Sequence, residues 1–377
     1  MSVNARYQAF LDKQKAQHLL RSLPPMRPFT IDFTNNDYLN FSQNPTIIQS
    51  AKNALDKLGA GSKASRLITH QQQAVLALEA HIAQDKCTEK SLTFCSGFQL
   101  NLTVLAALLN KKVLGAEPLV FTDKLNHASL HLGCELAGVK QIRYRHLDTD
   151  HLAWLLNKHK SAQQPKFIIT ESVFGMDGDI ADLEKTILLA KDHNAFLYVD
   201  EAHSTGLFGS KGYGHSTYFP GEIDLVMGTF SKALGSFGAY VGCKKTVHEY
   251  LLNRCQGLIY TTLMPPSQLA TMHAAWSLVP QMRSEVETLL NLAKTLRSRL
   301  HHLGFDTGNS QTNIIPIRLQ DPKLALNYQE QLANQGIGVA AIRPPSVLPM
   351  ESRLRIALSV RHSIQDIQSL LAVLKNF

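Results

Sequence analysis

No apolar stretch in this chain approaches the ~18 residues that a membrane span requires. The first twenty residues, MSVNARYQAFLDKQKAQHLL, mix polar and apolar side chains without the continuous apolar core of an export signal. No membrane association is expected, and the expected location is the cytoplasm. Cysteine is scarce and unpatterned. Cys87, Cys95, Cys134, Cys243 and Cys255 are odd in number and form no C-x-x-C, which argues against a disulfide framework or a zinc knuckle and fits buried thiols in a reducing compartment. Basic residues never run longer than a pair (Lys111-Lys112, Lys244-Lys245) and are not interleaved with aromatics. The net charge of +8 therefore reads as attraction for small anions, not as a nucleic-acid surface. Also missing are G-x-G-x-x-G, a Gly-Lys dipeptide and G-x-S-x-G, which removes dinucleotide, Walker A and nucleophile-elbow readings. His127 and His131 stand at i, i+4 but enclose no acidic general base. They read as a helix-face pair, and no metal is expected.

What is present suits a large folded enzyme. The 377 residues, 44% of them hydrophobic, predict two to three cores at ~150 residues each. A helix is predicted over 5–21, stopping before Pro24-Pro25. From about 45 to 245, helical stretches alternate with short apolar runs at 119–121, 167–169, 196–199 and 225–227. Such runs are expected of parallel strands buried on both faces. Beyond Pro265-Pro266 the pattern becomes a helix at 283–303, a strand at 314–318, a helix near 323–335, strands near 337–343 and 353–359, and a helix at 363–375. The predicted organisation is an N-terminal helix and connecting segment (1–44), a large α/β domain (45–250) and a small α+β domain (251–377).

Each apolar run is followed at once by polar residues: Thr122-Asp123 with Asn126-His127 beyond, Thr170-Glu171-Ser172, Asp200-Glu201-Ala202-His203, and Gly228-Thr229-Phe230-Ser231-Lys232. Ligands of open parallel sheets bind at the carboxyl ends of strands, so the four clusters point to one assembled site. A lysine just past a buried strand is partly desolvated, which lowers an amine's pKa and suits a Schiff-base nucleophile. Thr229 and Ser231 can donate to a phosphate. Asp200, at another strand end, can keep a pyridinium nitrogen protonated, as pyridoxal phosphate requires when it acts as an electron sink. Ser96-Gly97-Phe98 opens an apolar helix whose free N–H groups make an anion cradle.

The ordered set Ser96-Gly97-Phe98-x-x-Asn101, Asn126-His127-Ala128-Ser129, Glu171-Ser172-Val173-Phe174-x-Met176-Asp177-Gly178-Asp179, Asp200-Glu201-Ala202-His203-Ser204-x-Gly206 and Thr229-Phe230-Ser231-Lys232 resembles the α-oxoamine synthases, along essentially the whole chain. That resemblance implies the pyridoxal-phosphate transferase fold of type I: a mainly parallel sheet in the large domain, with the small α+β domain after it. It implies that Lys232 bonds covalently to the cofactor, that His127 stacks on its ring and that Asp200 meets the ring nitrogen. It places Ser172 and His203 near the phenolic oxygen, with Gly97, Phe98 and Thr229 around the phosphate. Arg355 is expected to bind the substrate α-carboxylate, and Arg21 and Ser346 to face the acyl substrate. Lys232, His127 and His203 are the expected catalytic groups. A homodimer with shared sites is implied, with Thr262 in the stretch that reaches the neighbouring subunit's phosphate. The implied reaction condenses L-alanine with pimeloyl-CoA or a pimeloyl-acyl carrier protein, losing CO2 and the free thiol, in biotin biosynthesis. Sister activities stay open: glycine C-acetyltransferase, 5-aminolevulinate synthase or a long-chain acyl variant. Asn40 and His70 stand where the family commonly has glycine, and 22–32 is short for the family's N-terminal β-hairpin; these departures bear on the acyl entrance.

Overall fold

The structure of the protein, a computed structural model, describes residues 2–23, 27–69 and 73–377. His70 and the Pro24-Pro25 stop lie outside the described residues. The chain forms two compact units. One comprises residues 36–175 and 180–286; the other comprises residues up to 35, 176–179 and 287–377.

The larger unit is built on seven strands: β1 (Lys90–Phe94), β2 (Leu119–Asp123), β3 (Gln141–Tyr144), β4 (Lys166–Glu171), β5 (Ala195–Asp200), β6 (Leu225–Thr229) and β7 (Ala239–Cys243). Their order is β1-β7-β6-β5-β4-β2-β3. Six run the same way, and β7 alone runs against both its neighbours. Consecutive residues of the central strands feed opposite cores. Ile169, Tyr198 and Met227 pack on one face with Leu100, Val104 and Leu105; Ile168, Val199 and Val226 pack on the other with Leu152, Leu183 and Ile187. Burial on both faces accounts for the unbroken apolar runs, and each such side chain contributes about 2 kcal/mol.

Three strands escape the sequence reading. β1 and β3 are edge strands with polar residues mixed in, and β7 (Ala-Tyr-Val-Gly-Cys) dilutes its apolar signal with small residues. A hairpin of nine residues joins β6 to β7. Thr229 faces Ala239 across the ladder, Phe230 N–H donates to Gly238 O and Ser236 N–H to Phe230 O, both at 2.9 Å. Lys232 sits within this hairpin, its carbonyl accepting from Gly235 N–H at 2.9 Å.

In the smaller unit, Ser352–Ala357 is the middle strand of an antiparallel sheet between Ala340–Ile342 and Ile314–Gln320. All six of its residues are buried: although Leu354 and Ile356 alternate with Arg353 and Arg355, both arginines lie inside. Helices Pro322–Asn334 and Ile364–Leu374 belong to the same unit. Ile31–Asp32 is the one strand described within 22–32, pairing in parallel with Ile337–Gly338.

The N-terminal helix is shorter than predicted, Val3–Ala16 instead of 5–21. His18 turns left-handed (φ 56°), and Leu19 and Leu20 N–H both fold back on Gln14 O. None of the helix residues is buried, so no packing rewards a further turn. Arg21 therefore stands in extended chain past the helix, not at its end. None of the five cysteines is paired: Cys134, Cys243 and Cys255 are buried and Cys87 is exposed.

Candidate active site

Two helices of the larger unit begin at the carboxyl ends of the strands: α1 (Gly97–Leu108) and α2 (Ala128–Leu136). Ser96 caps α1 by accepting from Gln99 N–H at 3.2 Å. The next amides, Gly97 and Phe98, have no partner among the described residues, as is usual for the first N–H groups of a helix. A Cβ at residue 97 would lie 2.6 Å from Thr229 Cγ2, so only glycine lets the start of α1 approach the end of β6 this closely. Thr229 Oγ1 is buried there with no hydrogen-bond partner among the described residues. Free amides, the positive end of a helix and an unsatisfied hydroxyl together make a receptor for an anion such as phosphate.

Asp200 ends β5 and is braced on both oxygens. Ala202 N–H donates to Oδ1 at 2.8 Å, and Asn101 Nδ2 donates to Oδ2 at 2.9 Å. Asn101 also donates to Ser129 Oγ at 2.9 Å and accepts from Tyr198 OH at 2.6 Å. Ser129 Oγ in turn lies 2.6 Å from His127 Nδ1. His127 caps α2 with its own ring: Ser129 N–H donates to Nδ1 at 3.3 Å. Its backbone N–H donates to Glu171 Oε1 at 2.5 Å. Ser172 N–H donates to Asp200 O at 2.9 Å, and Ser172 Oγ lies 3.0 Å from Ser204 Oγ. His203 Nδ1 lies 2.9 Å from Tyr38 OH. A Cβ at Gly175 would fall 2.1 Å from His203 Nε2, so that backbone passes directly against the ring.

The charges in this cluster are interdependent. Burial pushes the Glu171 carboxyl well above its ordinary range, and the adjacent Asp200 pushes it further, against the pull of Lys232. Burial lowers the His127 pKa; Asp200 opposes that, and Lys232 and His131 reinforce it. Behind the site, Lys86 is wholly buried and ion-paired with Glu201, and it donates to Tyr213 O at 2.6 Å. Ser216 N–H and Oγ hold the same Glu201 carboxylate at 2.6 and 2.9 Å. This network fixes the turn that follows Asp200.

The larger unit thus gathers Lys232, His127, His203, Asp200, Ser172, Thr229, Gly97 and Phe98 at the carboxyl ends of β4, β5 and β6 and the starts of α1 and α2. Thr262 is in the same unit, exposed and bridged to Ser65, its carbonyl 3.7 Å from Cys95 Sγ. Sequence reasoning gave no role to Glu171, Tyr198 or Lys86. Glu171 was visible as the polar end of an apolar run, whereas Tyr198 and Lys86 carry no signal beyond a buried position. Asn40 adopts a left-handed conformation, φ 55° and ψ 32°. Asparagine is among the few residues that enter this region at low cost, so the backbone shape that glycine permits is kept.

The other expected residues fall in the smaller unit. Arg21 Nη2 donates to Ser346 Oγ at 2.8 Å. Both line a cavity of about 1070 Å³ together with Arg27, Arg343 and an apolar wall that includes Leu326, Val339 and Ile342. Arg27 is ion-paired with Glu330 at 2.8 Å. Arg343 donates to His18 O, and neither it nor Arg21 has an acidic partner among the described residues. Burial and the Arg21 charge lower the Arg343 pKa, which marks surroundings short of negative charge. Arg355 lies on the middle strand, 5% exposed.

Residues 29–374 match the family described as aminotransferase class I and II. A Paramagnetospirillum magneticum protein, provisionally named an 8-amino-7-oxononanoate synthase, is 47% identical over 373 residues, covering 97% of this chain and 94% of its own. The 8-amino-7-oxononanoate synthase of Gluconacetobacter diazotrophicus is 43% identical over 383 residues, covering 98% and 96%. Among solved structures, a serine palmitoyltransferase holding pyridoxal phosphate as its internal aldimine superposes with a TM-score of 0.90 at 26% identity, covering all of this chain and 98% of that one.

Proposed function

Because the chain belongs to the aminotransferase class I and II family, and within it to the pyridoxal-phosphate-dependent α-oxoamine synthases, we propose that it joins L-alanine to a pimeloyl thioester, of CoA or of an acyl carrier protein. The products are 8-amino-7-oxononanoate, CO2 and the free thiol, and the step belongs to biotin biosynthesis. Pyridoxal-phosphate-dependent acyl transfer follows from membership; the choice of substrates is the proposal.

The residues present fit the cofactor. The orphaned Thr229 hydroxyl and the amides of Gly97 and Phe98 offer an anion site, and Asp200 keeps a carboxylate braced for a cationic ring nitrogen. Bound pyridoxal phosphate supplies an electron sink for a carbanion at the amino acid's Cα. In this reading Lys232 holds the cofactor and its amine acts as the base for the Cα proton. His127 covers the ring. Ser172 and His203 hold the phenolic edge, and His203 helps polarise the acyl carbonyl. Arg355 takes the α-carboxylate of alanine. The enzyme works as a homodimer, the partner subunit's Thr262 completing the phosphate site.

The observation that carries the choice of acyl group is the smaller unit's cavity. One wall is apolar, the one carboxylate in the lining, Glu330, is taken by Arg27, and Arg21 and Arg343 repel one another with no acidic partner among the described residues. An acyl chain ending in a carboxylate satisfies both features; a plain fatty chain would leave two cations facing its methyl end. The enzyme loaded with pyridoxal phosphate is expected to release CoA from pimeloyl-CoA when L-alanine is supplied. Release that instead requires glycine or serine, or acetyl- or palmitoyl-CoA, would assign it a sister activity. Arg21→Ala should raise KM for pimeloyl-CoA ~10-fold and leave KM for L-alanine unchanged. An equal rise in both would remove Arg21 from the acyl site.

A further inference from the structure

Asn101, Ser129 and Tyr198 have no part in the roles assigned above, yet Asn101 and Ser129 form one unbroken buried chain from Asp200 to His127, into which Tyr198 donates at Asn101. Tyr198 is 0% exposed, Ser129 1%, Asn101 2% and Asp200 4%, so water does not substitute for any link. The direction of each bond can be worked out. Asn101 lies 2.9 Å from the Asp200 carboxylate, which only accepts, so the nitrogen of its amide must face that way. Its oxygen then faces Tyr198 OH, which donates at 2.6 Å. The second Asn101 N–H goes to Ser129 Oγ at 2.9 Å. Ser129 Oγ, having accepted there, has its own proton for His127 Nδ1 at 2.6 Å.

A second observation reaches the same conclusion without any assumption about a hydroxyl rotor. The backbone N–H of Ser129 points at His127 Nδ1 at 3.3 Å, and a backbone N–H can only donate. Nδ1 must therefore present a lone pair. Protonating it would orphan two donors and would put a cation at the positive end of α2, where a helix disfavours it.

We propose that the Tyr198–Asn101–Ser129 chain locks His127 as the neutral imidazole with its proton on Nε2, so that this residue meets the reactants as a hydrogen-bond donor and not as a base. Asn101 and Ser129 are positioning residues: they act through Asp200 and His127. The charged and titratable groups facing His127 are Asp200 at the end of β5, Lys232 in the β6–β7 hairpin, His131 on α2 and Glu171 at the end of β4. Of these Asp200 favours a cationic ring, while Lys232, His131 and burial oppose it. Proton removal then rests with Lys232, and His127 supplies polarisation. That consequence depends on the acyltransferase reading; the tautomer does not.

The test separates the two. ¹⁵N-histidine spectra of the cofactor-free and cofactor-loaded enzyme would be recorded between pH 5.5 and 8, with His127 identified by its loss in His127→Phe. The expected result in both forms is an unprotonated Nδ1 and a protonated Nε2, unchanged down to about pH 6. A proton on Nδ1, or a wild-type midpoint at or above 6.5, would overturn the proposal whatever the substrates are. Ser129→Ala removes the hydroxyl link but keeps the backbone N–H, so it should weaken the lock without abolishing it, adding a minor Nδ1-protonated population and lowering kcat on the order of 10-fold with KM for the amino acid little changed. Ser129→Thr, which keeps the hydroxyl, should restore both. An alanine variant with the wild-type spectrum and kcat would remove Ser129 from the relay.

Discussion

A methyl group at residue 97 would have to occupy the place of Thr229 Cγ2, 2.6 Å away. Gly97→Ala must either push α1 off the end of β6 or turn the threonine out of the anion site. Overpacking of this kind costs about 1–3 kcal/mol, and here the cost falls on the proposed phosphate receptor. The expected outcome is an affinity for pyridoxal phosphate weaker by ~10-fold or more with the fold retained, measured by absorbance titration of the cofactor-free protein. Unchanged affinity would mean that the phosphate is held elsewhere. The motif around Gly97 was legible in the sequence, but the reason for the glycine was not, because the atom it makes room for lies 132 positions later (229 − 97). Asn40 is the converse case. As a letter it breaks the family pattern, and only its φ of 55° shows that the backbone there asks for what asparagine also provides.

At the scale of elements, the strands buried on both faces were readable, because helices on each side demand an unbroken apolar run. β1, β3 and β7 were not, since edge position or small residues hide them. In the middle strand of the smaller sheet the letters do not disclose the burial. Leu354 and Ile356 alternate with Arg353 and Arg355, the pattern of a half-exposed strand, yet the arginine side is buried as well. Asp177 is the reason on Arg353's side: it is ion-paired with Arg353, which is 2% exposed, and with Arg318 at 2.8 Å. Removing one partner of a buried pair leaves an uncompensated charge and costs about 3–5 kcal/mol. Arg353 keeps a second contact to Glu351 at 3.2 Å, so Asp177→Asn is expected at the lower end, about 3 kcal/mol. Denaturant unfolding checks this, and a loss below about 1 kcal/mol would mean that Glu351 alone suffices.

For the whole molecule, the many histidines set how stability responds to acid. Burial, complete or partial, lowers the pKa of His127, His131, His215 and His362 below 6.5. Below that pH the unfolded chain binds protons that the folded chain refuses, so stability falls as pH drops. Glu171 works in the opposite sense. Its raised carboxyl retains a proton that the unfolded residue loses above 4.5, but one carboxyl is set against seven imidazoles, since His193, His248 and His273 are lowered as well. At the alkaline end, burial pushes the Cys134 and Cys243 thiols up to about 12 from 9.0. The unfolded chain ionises first there, and stability falls as pH rises past 9. The urea midpoint is therefore expected to peak between about pH 7 and 9 and to decline on both sides. A flat profile from about pH 5.5 to 7.5 would contradict the histidine account. None of this could be read from the histidine count, since burial alone decides the sign.

The hairpin that carries Lys232 has one more consequence. Because β7 runs against its neighbours, the loop leaving β6 must return into the same sheet, and ladder bonds clamp it at both ends. An amine on so short a tether cannot drift away between turnovers; it searches only the small volume its side chain sweeps. If Lys232 is the base proposed above, its effective concentration at the Cα proton far exceeds that of any dissolved base, and the entropic cost of bringing base and substrate together has been met during folding. On that proposal, the one reversed strand in the sheet turns a bimolecular encounter into an intramolecular one.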